Sequence, residues 1–500
     1  MGTASLCFFQ GVPSAKLFWS ALADTLLLTA AFAVGWRVSA GIRNSRLGQS
    51  ISDVVFLLFL AVPANAIWNA FQRVTARLNS GYWRVPGLLT FSGASKEAMY
   101  GGAALLVITA IYYHRESVRF VSRLLAFLFP AVVFMLAEAP WILIHPHVRT
   151  LVAVATARPS MTPVHVRPAT RVVWILFDEM DYRLAFEGRT NANMTEFNRL
   201  ASQSFHATNA YPPGGRTMIS IPALLAGRFV TSSKVAGASE LLIRYEGAAS
   251  PVRWRTDQTI FAGERQRGWR IGVSGWYFPY ERIFGEDIDA WHDQGWRLGL
   301  NPIHPFSGLM GDEFRILAES DSRSLLGLTR SAVEHKRLVN EVVEASIQRA
   351  VNPDLDLVYL HLPVPHFPFY YDAKTGEDAN ASHPITGYLD HLQLGDRTLG
   401  QIRHAIEEAG VADRTTLLVS SDHWNRSADM LDGRLDHRIP FLVNFPGDST
   451  GVKYSEPFNS ILSRRLVTEI LMRRIRSASE AAAWIRRENR GLSESPYNAN

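Results

Sequence analysis

The chain has 500 residues, of which 47% are hydrophobic and 19% are charged. This composition is too apolar for a wholly soluble enzyme and too polar for a protein that lies entirely within a membrane, so it predicts a membrane part joined to a soluble part. The formal net charge is only +5, and Lys and Arg occur singly or in short clusters, so nucleic acid is not an implied partner. The single cysteine, Cys7, excludes an intramolecular disulfide and a cysteine-based zinc site.

Four apolar stretches lie near the start of the chain, at residues 17–38, 51–71, 98–113 and 124–144. Runs of about twenty apolar residues are long enough to cross the ~30 Å hydrocarbon core of a bilayer. They predict a transmembrane module of about four helices over residues 1–144, with the lipid bilayer as a partner. Buried helices of a large soluble domain are the alternative. A proline-containing linker is predicted at residues 145–170.

The orientation of this module follows from the positive charges beside the spans. Six arginines flank the first and third loops, against five Lys or Arg residues on the opposite side. By the positive-inside rule this narrow margin places the first loop in the cytoplasm. We therefore expect an integral protein of the inner or plasma membrane whose catalytic domain is extracytoplasmic.

Residues 171–450 alternate between strand and helix patterns. Apolar, β-branched runs predict strands at residues 171–177, 270–274, 355–360, 415–420 and 440–443, and helical patterns lie at residues 195–203, 259–267, 331–350 and 388–409. This order predicts an α/β/α sandwich with a mostly parallel sheet, whose ligands bind at the carboxyl ends of the strands. Residues 451–500 form a C-terminal helix, at about 460–487, and a tail. That helix packs on the domain or lies on a membrane surface.

Acidic residues directly follow two of the predicted strands. Asp178 and Glu179 come after the first strand, and Asp422 and His423 follow another in the segment LLVSSDHW. Carboxylate oxygens together with an imidazole suit a divalent metal ion. Taken singly, either pair is more typical of solvated loop residues or helix caps.

A Pro-Gly loop in the segment YPPGGRTMISIPALLAG, residues 211–227, precedes a predicted helix start at Thr217. Free backbone N–H groups and the helix dipole favour an anionic group at such a position. A hydroxyl group next to a metal ion there is an activated nucleophile. The alternative is that Thr217 only caps the helix.

Five segments, in this order, resemble the sulfatase-like branch of the alkaline phosphatase superfamily over about residues 170–445: RVVWILFDEMD, TMISIPALLAG, TIFAGERQRGWRIGVSGW, HLPVPHFPF and YLDHLQLGDRTLGQIRHAIEEAGVADRTTLLVSSDHW. The SDH sequence preceded by the D-x-x-x-G helix of Asp396 and Gly400 is the most specific part. Helical spans ahead of such a domain are also similar to the lipid-linked phosphoethanolamine transferases and the lipoteichoic acid synthases.

The resemblance implies a site built around one divalent metal ion, Mn²⁺, Zn²⁺, Mg²⁺ or Ca²⁺. It implies that the ion is held by Asp178 and/or Glu179 and by three further residues, Thr217, Asp422 and His423. It also implies that Thr217 is the covalent nucleophile and that three histidines face the transferred group: His361, His366 and His437. Structural hydrogen bonds are the alternative role of these histidines.

The sequence departs from the sulfatases proper at two points. Those enzymes have a C/S-x-P-x-R motif whose first residue is converted to formylglycine, whereas Thr217 begins the sequence Thr-Met-Ile-Ser here. The Lys and His of their G-K-W-x-H segment are absent from the Gly-Trp-Tyr sequence at 275–277. Both departures disfavour sulfate-ester hydrolysis.

The sequence therefore predicts a membrane-anchored, metal-dependent phospho-transferase or hydrolase. Its substrate would be an anionic phosphate ester, with a lipid-linked donor among the candidates, and the reaction would proceed through a phospho-threonine intermediate. One alternative is a phosphatase, phosphodiesterase or sulfatase-like hydrolase that uses only water as the acceptor. Another is a catalytically silent membrane scaffold.

Overall fold

The computed structural model describes residues 48–49, 170–187, 193–237, 239–255, 259–294, 330–376 and 384–489. Apart from residues 48–49, all of these residues belong to one compact unit. The four predicted spans and nearly all of the predicted linker lie outside the described residues, so the domain boundaries remain predictions. Within the described residues, no helix has both the length and the apolar character needed to cross a bilayer.

The elements alternate much as the sequence predicts. The strands are β1 (Arg171–Asp178), β2 (Phe205–Tyr211), β3 (Val230–Gly237), β4 (Glu240–Tyr245), β5 (Val252–Arg253), β6 (Ile271–Trp276), β7 (Ala290–Gln294), β8 (Leu357–Pro365), β9 (Thr415–Ser421), β10 (Ile439–Asn444), β11 (Val452–Tyr454) and β12 (Phe458–Asn459). The α-helices are α1 (Thr195–Ser202), α2 (Thr217–Ala226), α3 (Ile260–Gln266), α4 (Tyr280–Phe284), α5 (Arg330–Val351), α6 (Pro384–Glu408), α7 (Asp429–Asp432), α8 (Ser463–Leu471) and α9 (Ala478–Glu488).

The main sheet has the strand order β11-β2-β10-β9-β1-β8-β6-β7, with β12 beside β2. Strand β10 runs antiparallel to β2 and β9, whereas the other recorded pairings in this sheet are parallel. A second, antiparallel sheet contains β3, β4 and β5. The predicted α/β fold with a mostly parallel sheet is thereby confirmed.

Strand β1 lies at the centre of the sheet and is buried on both faces. Its alternate side chains divide between two hydrophobic clusters. Val172, Trp174 and Leu176 face the cluster that contains residues of α2, α3, α8 and α9. Val173, Ile175 and Phe177 face the cluster that contains residues of α1, α5 and α6. Because side chains alternate along a strand, a continuous apolar run is the pattern of a strand covered by helices on both sides.

The D-x-x-x-G pair of helix α6 joins that helix to α1. Asp396 accepts hydrogen bonds from the backbone N–H groups of Glu196 (3.2 Å) and Phe197 (2.8 Å). A Cβ atom on Gly400 would lie 2.9 Å from Cγ of Glu196, so a larger residue there would collide with α1. Asp396 therefore caps helix α1, and Gly400 allows α1 and α6 to pack closely.

The single C-terminal helix predicted at about 460–487 is wrong, because the structure has two helices there. Arg473 adopts a left-handed conformation with φ of 58° and ends the first helical segment. The side chain of Ser477 then caps α9 by accepting a hydrogen bond from the N–H of Glu480. The alternative of a membrane-surface helix is also wrong, because the apolar residues that suggested it are all buried in the domain: Leu462, Leu466, Ile470 and Ile475.

Candidate active site

The carboxyl ends of the central strands bring the predicted site residues together. In the register of the sheet, Phe177 of β1 lies opposite Ser421 of β9, so Asp178 and Asp422 follow at the same edge. Strand β8 continues beyond its predicted end at residue 360 to Pro365, and this extension contains His361. The topology therefore concentrates two acidic residues and a histidine where ligands bind in parallel sheets.

Asp178, His361 and Asp422 form a buried cluster in which one ligand atom from each residue lies within 4.8 Å of the others. Nε2 of His361 is 3.6 Å from Oδ2 of Asp178. All three side chains are shielded from solvent. Carboxylates and imidazole in this arrangement are suited to a divalent cation.

The hydrogen bonding of this cluster provides a test of whether a metal ion fits. Four of its buried atoms have no hydrogen-bond partner among the described residues: Oδ1 and Oδ2 of Asp178, Oδ2 of Asp422 and Nε2 of His361. Buried polar atoms are normally paired, because leaving them unpaired is costly. Burial and the negative charge of Asp178 raise the pKa of Asp422. A cation between these atoms would satisfy them and offset the repulsion between the carboxylates, so the residues fit a metal ion.

Thr217 and His423 adjoin this cluster. Nε2 of His423 lies 3.6 Å from Oδ1 of Asp178 and 3.5 Å from Oδ2 of Asp422. The Nδ1 atom of His423 donates a hydrogen bond to the carbonyl of Trp424 (2.8 Å). In the neutral imidazole the Nε2 lone pair therefore faces the carboxylates. Oγ1 of Thr217 is 3.3 Å from the same Nε2 atom.

The predicted helix start at Thr217 is confirmed, because Thr217 is the first residue of α2. The N-cap is Arg216, which has extended backbone angles and no side-chain capping bond. The alternative in which Thr217 caps the helix is therefore wrong. A Cβ atom on Gly214 would lie 2.6 Å from Cγ2 of Ile219, so the loop before the helix is packed against the helix itself.

Glu179, the second acidic residue after β1, is not a member of the cluster, and its carboxylate contacts other residues. Its Oε1 accepts a hydrogen bond from Nε of Arg426 (3.2 Å), and its Oε2 lies 3.8 Å from Nε2 of His366. Its backbone has a positive φ of 68°, which is uncommon for a residue other than glycine. Of the two candidate ligands after β1, the structure thus places Asp178 in the cluster and Glu179 beside Arg426.

The three predicted histidines have different surroundings. His361 belongs to the buried cluster, and its Nδ1 is 2.9 Å from the hydroxyl of Tyr280. His366 lies beside Glu179. His437 stacks on the indole of Trp424, with ring centroids 4.2 Å apart, and burial lowers its pKa.

Tyr280 and Arg426 are site residues that the sequence reasoning missed. A Cβ atom on Gly275 would lie 2.7 Å from Cε2 of Tyr280 and 3.1 Å from Cβ of His361, so this glycine makes room for the Tyr280–His361 contact. Such a contact orients an imidazole from its far side, as residues behind a metal ligand do. Arg426 follows Asp422 by four residues, and its position beside the SDH sequence is a signal that could have found it.

A sequence model of the sulfatase family matches residues 170–471, which is more than half of the chain. The chain belongs to the sulfatase family. Similar solved structures include Ps i-CgsB in complex with k-i-k-neocarrahexaose, at 16% identity over 65% of this chain and 77% of that chain, with a TM-score of 0.42. Lipoteichoic acid synthase LtaP from Listeria monocytogenes is 12% identical over 61% of this chain and 72% of that one, with a TM-score of 0.38.

The phosphonate monoester hydrolase of Agrobacterium radiobacter is 16% identical over 61% of this chain and 74% of that chain, with a TM-score of 0.39. A comparison with curated protein sequences found no match. As a sulfatase-family member, the protein is a sulfatase-like hydrolase or transferase of sulfate or phosphate esters in the alkaline phosphatase superfamily. The predicted family and enzyme class are therefore confirmed. Enzymes of this family depend on metal ions, and the Asp178–His361–Asp422 cluster offers a place for one.

Proposed function

We propose that this sulfatase-family enzyme transfers a phosphoryl group from an anionic ester through a covalent intermediate on Thr217. The observation that carries the proposal is the 3.3 Å contact between Oγ1 of Thr217 and Nε2 of His423, beside the buried carboxylates of Asp178 and Asp422. A hydroxyl that serves only as a helix cap has no need of this environment.

Several groups of the chain would act on the nucleophile and the ester. His423 keeps its Nε2 lone pair on the side of Thr217 and the two carboxylates, because its other ring nitrogen donates to the carbonyl of Trp424, so this lone pair would be a donor to the metal ion rather than a base. The start of helix α2 adds a partial positive charge that favours an anionic group near Thr217. In the proposed step, the hydroxyl proton of Thr217 passes to water, Oγ1 forms a bond to phosphorus, and the bond from phosphorus to the leaving oxygen breaks.

His366 is suited to giving the leaving oxygen its proton. Its Nε2 lies 3.8 Å from Oε2 of the Glu179 carboxylate. Its ring also contacts Trp276, with centroids 4.9 Å apart, which restricts its orientation. In a second step, water or a hydroxyl acceptor gives its proton to His366 and attacks phosphorus, while the bond from phosphorus to Oγ1 of Thr217 breaks and Oγ1 takes a proton from water.

The metal ion of this proposal would be held by Asp178, His361 and Asp422, with His423 and Thr217 completing the donor set. When bound, it would supply Lewis-acid stabilisation of the negative charge on the transferred group. The buried atoms of Asp178, Asp422 and His361 that have no hydrogen-bond partner in the described part of the chain support this assignment.

We further propose that the enzyme is anchored in the inner or plasma membrane, with its catalytic domain outside the cytoplasm and a lipid-linked ester as one candidate donor. The support is the set of four apolar runs within residues 1–144 and the arginines beside them.

The role of Thr217 is tested by comparing Thr217→Val with Thr217→Ser. The valine variant keeps the shape of the side chain but lacks the hydroxyl, so kcat should fall by roughly a thousandfold or more. The serine variant retains a nucleophilic hydroxyl and should keep part of the activity. Both should melt close to the wild-type temperature, because the change at this position removes no helix-capping bond.

Intact-mass measurements during turnover separate the alternatives. With phosphate monoesters and diesters, we expect a phospho-adduct that peptide mapping assigns to Thr217. A sulfo-adduct formed from a sulfate ester would assign the enzyme to sulfuryl transfer instead. Near-normal turnover by Thr217→Val, with no adduct on the wild-type protein, would contradict covalent catalysis and favour direct attack by water.

A further inference from the structure

The turn that follows strand β1 has a strained backbone beside the Asp178–His361–Asp422 cluster. Glu179 has a φ of 68°, a conformation that residues with a side chain seldom adopt. Such conformations persist when the surrounding structure holds them in place. The contacts around this turn therefore show what keeps it in position.

Ser421, the last residue of β9, and Asp422, which follows it, hold the turn from one side. The backbone N–H of Glu179 donates to Oδ1 of Asp422 (3.1 Å), and that of Met180 donates to Oγ of Ser421 (2.9 Å). Oδ1 of Asp422 also accepts the N–H of His423 (2.8 Å). Because Oδ1 accepts two amide hydrogens, Oδ2 is the oxygen of Asp422 that remains for the cluster. The strained turn thus helps to orient a proposed metal ligand.

Helix α6 holds the turn from the other side through Tyr388. The phenol donates a hydrogen bond to the carbonyl of Glu179 (2.8 Å) and accepts one from the N–H of Asp181 (3.0 Å). The Tyr388 side chain is buried, with 1% of its surface exposed. Burial raises the pKa of Tyr388 well above its ordinary value, so the phenol keeps the proton that it donates.

We propose that Tyr388 is a positioning residue for the metal centre. Its phenol bridges the backbone on both sides of Met180, which directs the Asp178 carboxylate into the cluster and the Glu179 carboxylate toward Arg426. The same bridge fixes the Glu179 amide that orients Asp422. The inference rests on the metal site of the proposed function, but whether Tyr388 holds the turn in place can be measured independently of metal binding.

The test uses the full-length protein and the substitution Tyr388→Phe, which keeps the ring and removes both hydrogen bonds. Hydrogen exchange, followed by mass spectrometry on peptides that cover residues 177–183, should become at least about tenfold faster in this segment. Mn²⁺ affinity, measured by calorimetric titration of the metal-free protein, should fall by about tenfold or more, because the ligands lose their preset orientation.

Tyr454→Phe is the matched control. Tyr454 is a buried tyrosine of β11, and its hydroxyl donates to Oε2 of Glu456 at 3.3 Å. Strands β2, β10 and β9 separate it from β1 in the sheet. This control should leave both the exchange of residues 177–183 and the Mn²⁺ affinity unchanged, even where it lowers the melting temperature.

A second variant distinguishes positioning from a general loss of stability. Asparagine adopts the left-handed conformation more readily than glutamate, so Glu179→Asn should make the turn less dependent on Tyr388. In the Glu179→Asn background, Tyr388→Phe should therefore reduce Mn²⁺ affinity by a smaller factor than it does in the wild-type background.

Unchanged exchange and unchanged Mn²⁺ affinity in Tyr388→Phe would overturn the proposal. Equal losses of affinity in the two backgrounds would also overturn it. A wild-type protein that binds none of Mn²⁺, Zn²⁺ or Mg²⁺ would refute the metal-dependent function, and with it the metal-positioning role. The rate of amide hydrogen exchange in residues 177–183 would still show whether Tyr388 holds the turn in place.

Discussion

Asp178 and Glu179 are adjacent in the sequence, but their carboxylates have different partners. Asp178 ends β1 and faces His361 and His423, each through a contact of 3.6 Å. Burial would raise its pKa, but the nearby histidines, chiefly His366, lower the pKa below its usual range. Glu179 follows in a left-handed conformation and pairs with Arg426. The left-handed backbone at Glu179 thus accompanies a change of partner, from the candidate metal site at Asp178 to Arg426 at Glu179.

This separation predicts different effects of two isosteric substitutions on metal binding. Asp178→Asn should weaken Mn²⁺ binding by about a hundredfold or more, because a charged donor is lost from the cluster. Glu179→Gln should change Mn²⁺ affinity by no more than a few-fold, because the side chain of Glu179 contacts Arg426 and His366 and the change leaves its backbone N–H in place. Calorimetric titration of each metal-free variant measures both effects. Equal losses of Mn²⁺ affinity in the two variants would show that Glu179 is also a metal ligand.

The loop between β2 and α2 is the element that sets the position of the nucleophile. Gly214 and Gly215 lie in this loop, and each is packed too closely to accept a side chain without movement. A Cβ atom on Gly215 would lie 2.7 Å from Cη2 of Trp424, the residue that follows His423. The loop is therefore in contact with both the nucleophile helix and the segment that bears the SDH sequence.

This packing predicts that Gly214→Ala lowers both activity and stability. The added Cβ would lie 2.6 Å from Cγ2 of Ile219 and 2.8 Å from Oγ of Ser220, so the loop must shift at the residue pair just before Arg216 and Thr217. A shift of even 1 Å at a nucleophile costs up to about a hundredfold, so kcat should fall between about tenfold and a hundredfold. The overpacking itself should cost about 1–3 kcal/mol of unfolding free energy.

Gly237→Ala is the control for that measurement. Its added Cβ would have Cβ of Glu240 as its nearest neighbour, at an ordinary 3.5 Å. We expect near-normal kcat and a small change in the urea unfolding midpoint. A Gly214→Ala variant with the same kcat as the control would show that the loop does not position Thr217.

At the scale of the whole molecule, the order β9-β1-β8-β6 brings the ends of distant segments to one edge of the sheet. Asp178 and Asp422 are separated by more than two hundred residues, yet β1 and β9 are adjacent and parallel. The side of the membrane on which this edge lies is a separate prediction, and it depends on how the N-terminal apolar runs are inserted.

Reporter fusions test that topology. A fusion after residue 150 should activate a reporter that works only outside the cytoplasm, because four spans return the chain to the side of its N-terminus. A fusion within residues 39–50, in the predicted first loop, is the control and should activate a reporter that works in the cytoplasm. A cytoplasmic signal after residue 150 would contradict both the charge argument and the extracytoplasmic reaction.

The sequence alone was enough to determine the α/β fold and the family. Apolar runs of the β1 type identify central strands because both faces of such a strand are covered, and the D-x-x-x-G and SDH segments are local in the chain. The start of helix α2 at Thr217 was predictable for the same reason, since a Pro-Gly loop and an apolar helix adjoin it. Strand β2, with polar residues such as His206 and Asn209, lacks an apolar run and was missed.

Only the tertiary structure decided which side chains converge. The separate directions of Asp178 and Glu179 depend on one left-handed residue, which no spacing in the sequence specifies. His361 enters the cluster because β8 runs on beyond its predicted end and pairs with β1. Tyr388 reaches the turn from a helix more than two hundred residues away. Local patterns record propensity and burial, whereas these contacts arise from packing between distant segments, and such packing exists only once the sheet has formed.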